Sequence, residues 1–264
     1  MRIAVLSTFF AAAFLVGAPA SAQSAASAPT GAASAVPPDF EPQAVDALRH
    51  MGRYLQTLDA FTVRARTSTD QIFVNDQKIQ FDSAMTMFVR RPDRVRIDMT
   101  SDRRSRQFFY DGKSVVIYGK NTGYYAKVPA PPTLRELASR ITDDYGLELP
   151  LADLFAWGDD TTPVAHLTGA LAIGLATVRG AACDQYAFRQ EGLDWQIWIQ
   201  RGPHPLPLRL VLTTTSDPVR PQHSVDLEWS LTERPSSSMF AFVPPAGAHE
   251  IPMQRADGTV PARP

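Results

Sequence analysis

The sequence has little net charge, a single cysteine and few glycines, and each scarcity excludes a class of protein. Its 264 residues include 26 Lys and Arg against 27 Asp and Glu, a formal net charge of −1, which argues against nucleic acid as a partner. Cys183 has no second cysteine with which to form an internal disulfide. The 15 glycines do not cluster at a strand-to-helix turn, so a phosphate-binding loop is not expected.

Signatures of catalysis and of metal binding are also missing. The sequence has no Gly-x-Ser-x-Gly element and no cysteine with a partner histidine close by. Acidic pairs at Asp143-Asp144 and Asp159-Asp160 are interpreted as solvation and helix capping, because adjacent side chains point in different directions. We therefore predict a protein that is not an enzyme and that uses no metal and no cofactor. The histidines lack metal-site spacing and are interpreted as surface or capping residues: His50, His166, His204, His223 and His249.

The first 22 residues have the parts of an export signal. A basic start at Arg2 precedes an apolar run from Ile3 to Val16 and a small-residue site that ends at Ala22. This run is shorter than the roughly 20 apolar residues that cross a bilayer, so we expect cleavage after Ala22. Cys183 lies too far away to carry a lipid anchor at the new N-terminus. The expected product is a soluble periplasmic protein, or alternatively a secreted one, rather than an integral membrane protein.

One folded domain is predicted between two flexible segments. Residues 23–38 are almost entirely Ala, Ser, Pro, Gly and Thr, too poor in large apolar side chains to offset the entropy of ordering, and predict a disordered linker. Residues 252–264 are also thin in apolar side chains and predict a flexible tail. The domain is expected to occupy residues 39–251.

The spacing of apolar side chains predicts helices and strands in this domain. Repeats of three and four from Val45 to Leu58 predict an N-terminal helix. Alternation begins at Phe61 and continues, segment by segment, to Val128, which predicts a meander of antiparallel strands. Asp111-Gly112 and Asn121-Thr122-Gly123 are predicted to be the turns of two hairpins.

A helical segment interrupts the strands in mid-sequence. Thr133 and Glu136 fit a capping box, and Pro150 separates this helix from a short second one at residues 151–157. Strands are then predicted from Leu175–Val178 to Phe240–Phe242. The pattern favours an α+β fold, a curved antiparallel sheet (an incomplete β-barrel) of about ten strands, covered by the N-terminal helix and a central helical lid.

Both faces of the predicted sheet carry large apolar side chains. Trp195 and Trp198 cannot point the same way in a regular strand, so both faces are expected to be covered. Beneath the helices, the sheet either is filled core or borders a cavity for an apolar ligand, and both interpretations stay open. The candidate cavity-lining residues are Phe81, Met85, Met87, Ile97, Met99, Trp195 and Ile197.

Seven arginines crowd one short part of the predicted meander. A functional interpretation is a basic band that contacts anionic headgroups or polyanions of the envelope. The favoured interpretation is that Arg94 and Arg96 form the solvated face of a strand, with Asp93, Asp98 and Asp102 as partners. The seven are Arg90, Arg91, Arg94, Arg96, Arg103, Arg104 and Arg106.

Landmarks along the chain resemble two families. Arg91-Pro92, the turn at Tyr110–Lys113, and Phe240–Pro245 with Gly247 resemble landmarks of the LolA/LolB-type lipoprotein carriers. A second set resembles a bacterial family described as predicted periplasmic proteins of unknown function. That set comprises Leu149–Phe155, Cys183, Phe188, Asp194-Trp195-Gln196, Trp198, Pro205-Leu206-Pro207, Pro221-Gln222 and Trp229.

The resemblance to the carriers implies a fold and a ligand. It implies an incomplete barrel whose concave apolar face is lidded by helices and receives acyl chains. It also implies an arginine that locks the lid, for which Arg64, Arg66 and Arg91 are candidates. With Arg94 and Arg96 they form the candidate polar or basic ligand contacts. The leading hypothesis is a periplasmic protein that binds a lipid, acyl chain or lipoprotein, and the alternative is a module that binds envelope proteins and no small molecule.

Overall fold

The computed structural model of the protein describes residues 40–147, 149, 151, 164 and 166–257. The predicted signal peptide (1–22), the predicted linker (23–38) and residues 258–264 of the predicted tail lie outside the described residues. So does the short helix predicted at 151–157, apart from its first residue.

Two α-helices and twelve β-strands make up the regular structure of the described residues. The helices are α1 (Pro42–Gln56) and α2 (Leu134–Tyr145). The strands are β1 (Ala60–Ile72), β2 (Lys78–Arg90), β3 (Arg94–Ser101), β4 (Ser105–Tyr110), β5 (Ser114–Gly119), β6 (Tyr124–Pro129), β7 (Leu167–Val178), β8 (Ala181–Gln190), β9 (Leu193–Gln200), β10 (Pro207–Thr214), β11 (Gln222–Ser230) and β12 (His249–Glu250).

These strands form one open, curved sheet in the order β12-β6-β5-β4-β3-β2-β1-β11-β10-β9-β8-β7. Short turns join most neighbours, which are therefore antiparallel, whereas β12 lies parallel to β6. The two halves of the sheet meet where β1 pairs with β11. Near the β7 edge, Arg179 in the β7–β8 turn donates a hydrogen bond to the Leu227 carbonyl on β11, so this turn reaches across the intervening β9 and β10. The predicted curved antiparallel sheet is confirmed, with twelve strands rather than about ten.

The sheet face that packs with the helices is called the inner face, and its opposite the outer face. On β1 the inner face carries Phe61, Val63 and Ala65, all at most 2% exposed. α1 crosses this face. It begins beside β7, where the Glu41 N–H donates to the Ala170 carbonyl at 2.7 Å, and it leads directly into β1.

The two helices follow from their local sequence. Pro42 occupies the first turn of α1, where its missing N–H leaves no hydrogen bond unmade. In α2 the Thr133 side chain accepts a hydrogen bond from the Glu136 N–H at 3.3 Å, as the predicted N-cap requires. The Leu134 N–H also donates to the Pro92 carbonyl at 3.0 Å, which places the start of α2 at the β2–β3 turn. Leu58, the last apolar residue of the predicted first helix, lies beyond the end of α1 at Gln56 and is half-buried. Apolar side chains are buried along both helices at Val45, Leu48, Met51, Leu55, Leu134, Leu137 and Ile141.

The strand predicted at Phe240–Phe242 is wrong. Ser237–Phe240 form a short 3-10 helix, and the chain then crosses the outer face of β4, β5 and β6. Phe240 is fully buried, and the Phe242 ring lies 5.0–5.5 Å from three outer-face rings, those of Phe109, Tyr118 and Tyr125. The prolines that follow lack the N–H groups of a strand ladder, so the aromatic rings pack on the sheet instead.

Strand β7 begins at Leu167 rather than at the predicted Leu175. Its register against β8 shifts between Leu167 and Gly169 and again between Ala172 and Gly174. Each shift interrupts the alternation on which the prediction depends. The strand was therefore recognisable only at its regular end.

The chain after Ile251 keeps contact with the domain. Met253 packs against the core, and the Ala256 N–H donates to the Asp144 carbonyl at 2.9 Å. These contacts lie beyond the domain boundary predicted at residue 251.

Candidate functional site on the inner face

The seven candidate cavity-lining residues all lie on the inner face, at two levels of burial. Five of them are at most 5% exposed and belong to the main core: Met85, Met87, Ile97, Trp195 and Ile197. Met99 is half-buried and packs against this core, whereas Phe81 is half-buried outside it. Only these last two reach an accessible part of the face. That the seven residues line a ligand cavity stays a prediction.

Burial on the inner face decreases along the central strands, away from the helices. On β2 the side chains of Met87 and Met85 are 0% and 5% exposed, whereas Ser83 and Phe81 are half-buried. On β1, Thr67 and its successor on the same face, Thr69, are likewise half-buried. α1 leads into the start of β1 and α2 starts at the β2–β3 turn, so both helices cover the same end of these strands. The opposite end is the accessible part of the inner face.

A single row of side chains leads from this accessible part into the buried core. Its members are Cα partners on successive strands, so each lies beside the next at the spacing of paired strands. Apolar side chains in the row flank a polar pair. We call it the transverse row, which runs from β2 to β8 through Phe81, Thr69, His223, Leu212, Trp195 and Phe188.

Thr69 and His223 form the polar pair of the transverse row. Thr69 Oγ1 lies 2.7 Å from His223 Nδ1, and burial lowers the pKa of the imidazole, which is therefore neutral at neutral pH. No carboxylate among the described residues contacts the other ring nitrogen, so the pair lacks the third group of a nucleophilic triad. Sequence reasoning treated His223 as a surface or capping residue. It missed the pair because only the register of β1 against β11 brings together residues 154 positions apart.

Trp195 supplies an unpaired hydrogen-bond donor. Its side chain is 4% exposed and stacks on Phe188, with 4.4 Å between the ring centroids. Within the described part of the chain, its indole Nε1–H has no hydrogen-bond partner. An unpaired buried donor costs about 1–3 kcal/mol. A bound molecule that placed an oxygen acceptor there would recover part of that cost.

The candidate arginines on β1 and β3 lie on the outer face, and three of the four pair with carboxylates. Arg94 contacts Asp93 at 2.9 Å, and Arg96 contacts Asp98 at 3.0 Å, the arrangement expected of a solvated strand face. Arg64 likewise lies 2.9 Å from a carboxylate oxygen of Glu233. Alternation along β1 places exposed Arg66 beside Arg64 on this face. These four arginines are therefore separated from the transverse row by the sheet.

Arg91 has a different position from the other candidate arginines. It is half-buried at the β2–β3 turn, and its Nε donates to the Leu58 carbonyl at 3.1 Å. Leu58 follows directly after α1. Arg91 thus fastens the end of that helix to the sheet.

We call residues 237–257 the C-terminal segment. A cavity of about 230 Å³ lies on the outer face, beneath this segment. None of the candidate inner-face residues lines it. Its volume is below the roughly 300–1,000 Å³ of typical ligand pockets, and charged groups share its wall with aromatic rings. An acyl chain is a poor match for this mixture. The lining includes Phe109, Asp111, Tyr125, Lys127, Phe242 and Glu250.

Comparison with known proteins identifies the family. The sequence profile described as "Predicted periplasmic protein (DUF2092)" matches residues 44–254, from α1 to the chain beyond β12. The chain belongs to the DUF2092 family. The second resemblance found in the sequence is thereby confirmed. No curated protein matches the chain.

Solved structures similar to this DUF2092 protein share little sequence with it. An uncharacterized conserved protein from Thermus thermophilus is 11% identical, with a TM-score of 0.45 and coverage of 79% of this chain and 98% of that one. The lipoprotein LppX of Mycobacterium tuberculosis is 12% identical, with a TM-score of 0.39 and coverage of 72% and 94%. A LolA superfamily protein from Nitrosomonas europaea is 8% identical, with a TM-score of 0.30 and coverage of 75% and 97%. Similarity at this level does not specify a ligand.

The described ranges of the DUF2092 protein hold neither a cluster of metal ligands nor a long apolar helix. No group of three or more His, Cys, Asp or Glu side chains there is arranged to hold a metal ion. Neither α1 nor α2 is both long enough and apolar enough to span a bilayer.

Cys183 is expected to resist alkylation in the native protein. The side chain is fully buried, and burial raises the pKa of its thiol, so little reactive thiolate is present at neutral pH. Iodoacetamide at about pH 7 should leave the folded protein unmodified and should modify it fully in urea, as measured by intact mass. Rapid modification without denaturant would contradict the buried position.

The lowered pKa of His223 predicts that the protein loses stability in mild acid. Because its pKa is lowered from the ordinary 6.5, the unfolded chain takes up a proton that the folded chain resists. The contribution to stability is therefore greatest above about pH 6.5 and decreases as the pH falls towards the folded pKa, by at most about 1.4 kcal/mol per pH unit. We expect His223→Gln to remove this component in urea unfolding between about pH 5 and 8. The exposed His50→Gln variant is the control, and identical pH profiles for wild type and His223→Gln would rule out the effect.

Proposed function

We propose that this DUF2092 protein is a periplasmic, non-catalytic protein that binds an apolar ligand on the accessible part of its inner face. The ligand is a lipid, an acyl chain or the lipid of a lipoprotein. The observation that carries the proposal is the transverse row, where apolar side chains flank an unpaired indole N–H. The export signal predicted from the sequence supports the location. We further infer that the sheet with α1 and α2 is an incomplete barrel with a helical cover of the LolA/LolB type.

The physical case begins with the cost of carrying an acyl chain through water. Each CH₂ group removed from water contributes about 0.8 kcal/mol, so a carrier needs apolar surface beside an accessible edge. Phe81 and Leu212 supply apolar side chains on either side of the Thr69–His223 pair, and Met99 adds a side chain that adapts to different shapes. The surface continues into the buried core, which keeps its outer edge rigid.

Trp195 adds specificity to this apolar surface. A hydrocarbon without oxygen would leave its Nε1–H unpaired, whereas an ester or carboxyl oxygen would accept a hydrogen bond from it. A net hydrogen bond of about 0.5–1.5 kcal/mol corresponds to an affinity gain of roughly two- to tenfold. The site therefore favours acyl compounds over plain alkanes.

Displacement of a fluorescent fatty acid tests the proposal. Delipidated wild-type protein should bind the probe saturably and release it when oleate is added. Trp195→Phe keeps the aromatic stack but removes the N–H, and it should weaken binding about threefold while leaving the protein at least as stable. Trp198→Phe is the matched control, since Trp198 lies on the same strand with its side chain on the outer face. Absence of saturable binding would contradict the proposal and favour the protein-interaction alternative.

A further inference from the structure

The arginines at the β3–β4 turn lie on the opposite face from Arg94 and Arg96. Arg106 is the Cα partner of Met99, and paired residues share a face of the sheet, so Arg106 lies on the inner face. Ser101, the next inner-face position of β3 after Met99, lies opposite Arg104 and donates its N–H to the Arg104 carbonyl at 2.8 Å, which places Arg104 on that face too. The guanidinium carbon of Arg103 lies 4.5 Å from the centre of the Phe81 ring. The seven arginines that are adjacent in sequence are thus divided between the two faces, and Arg103, Arg104 and Arg106, here called the arginine rim, border the accessible apolar surface.

The arginine rim concentrates positive charge beside that surface. Burial, and next the charge of Arg104, lowers the pKa of Arg106, as expected when like charges are gathered at a partly buried site. On β5 the residue opposite Arg106 is Gly119, which presents no side chain there. Arg103 forms no ion pair with a carboxylate of the described residues, in contrast to Arg94 and Arg96 on the outer face.

We propose that the arginine rim binds the headgroup of an anionic phospholipid whose acyl chains lie along the transverse row. This inference rests on the proposed function and adds the class of headgroup. Guanidinium groups form paired, charge-assisted hydrogen bonds with phosphate oxygens. The contact of Arg103 with Phe81 joins the charged rim to the apolar row, so one molecule with an anionic end and an apolar end can occupy both.

Binding of two phospholipids with identical acyl chains tests the headgroup assignment. Wild-type protein at low salt should bind fluorescently labelled phosphatidylglycerol about tenfold, or about 1.4 kcal/mol, more tightly than labelled phosphatidylcholine. Both lipids offer a phosphate to the guanidinium groups, but only the choline headgroup adds a cation that the arginine rim repels. The double variant Arg103→Gln/Arg106→Gln should bind both lipids with the weaker affinity. Arg94→Gln/Arg96→Gln, which removes the same charge from the outer face, should keep the preference. Rising salt should reduce the preference, because these charges are partly exposed.

The possible failures are distinguishable. Equal wild-type affinities for the two lipids, or equal loss in the outer-face control, would overturn the headgroup assignment and leave the proposed function standing. Absence of saturable binding of either lipid would contradict both. Displacement of the lipid by inorganic phosphate alone would assign the rim to a free anion instead. If the double variant does not fold, as judged by thermal melting, the exposed single substitution Arg103→Gln should still reduce the preference several-fold.

Discussion

Replacing Met87 with alanine is expected to lower the free energy of unfolding by about 3 kcal/mol. The side chain is fully buried on the inner face, where β2 pairs it with Val63 on one side and Ile97 on the other. Truncation removes its transfer free energy and leaves a void that close-packed neighbours fill only in part. Urea unfolding followed by circular dichroism measures the loss.

Met99→Ala is the matched control for this substitution. Met99 lies on the neighbouring strand and the same face, but it is half-buried. We expect its truncation to cost less than about 1.5 kcal/mol and to weaken fatty-acid binding. Similar, small losses for both variants would mean that Met87 also borders open space, and would favour a cavity over filled core beneath the helices.

Replacing Phe240 with alanine is expected to cost about 3–5 kcal/mol and to release the C-terminal segment. The ring is fully buried, and the Arg90 guanidinium carbon lies over it at 5.5 Å from its centre. Beyond Phe240, the segment is held by the Phe242 ring on the outer face and by β12, which pairs with β6 through two residues. Urea unfolding gives the stability loss, and limited proteolysis should show faster cleavage after residue 236.

Val243→Ala is the control within the same segment. Val243 is 79% exposed, so its truncation should change stability by less than about 0.5 kcal/mol and leave cleavage unchanged. Unaltered proteolysis of Phe240→Ala would show that β12 and Phe242 alone hold the segment.

Local patterns predicted most of the fold. The apolar stripe of α1, the N-cap of α2 at Thr133 and the hairpin turn at Gly112 each depend on residues close in sequence. An apolar repeat of about 3.6 residues in a helix, or of 2 residues in a strand, shows which side of the element is buried. This information does not depend on what the element packs against. The same patterns correctly placed Val95 and Ile97 on the buried side of β3.

Errors arose where a contact distant in sequence overrides the local pattern. Phe240–Phe242 alternate like a strand, yet Phe240 ends a 3-10 helix and the Phe242 ring packs on Phe109, Tyr118 and Tyr125 of distant strands. The bulges of β7 interrupt the alternation of inward and outward side chains from which a strand is predicted. Such bulges are common in strands at the edge of a sheet. Pairing of Thr69 with His223 is invisible before β1 and β11 are placed side by side.

The sequence by itself determined the apolar inventory, the helices, the meander and the family to which the chain belongs. These follow from local periodicity and from residues at characteristic positions. Only the tertiary structure decided which candidate residues are buried and which lie at the accessible edge, and which arginines face the apolar surface. The physical reason is that burial and cross-strand proximity depend on strand register, sheet curvature and the reach of α1 and α2, none of which is encoded in the spacing of neighbouring residues.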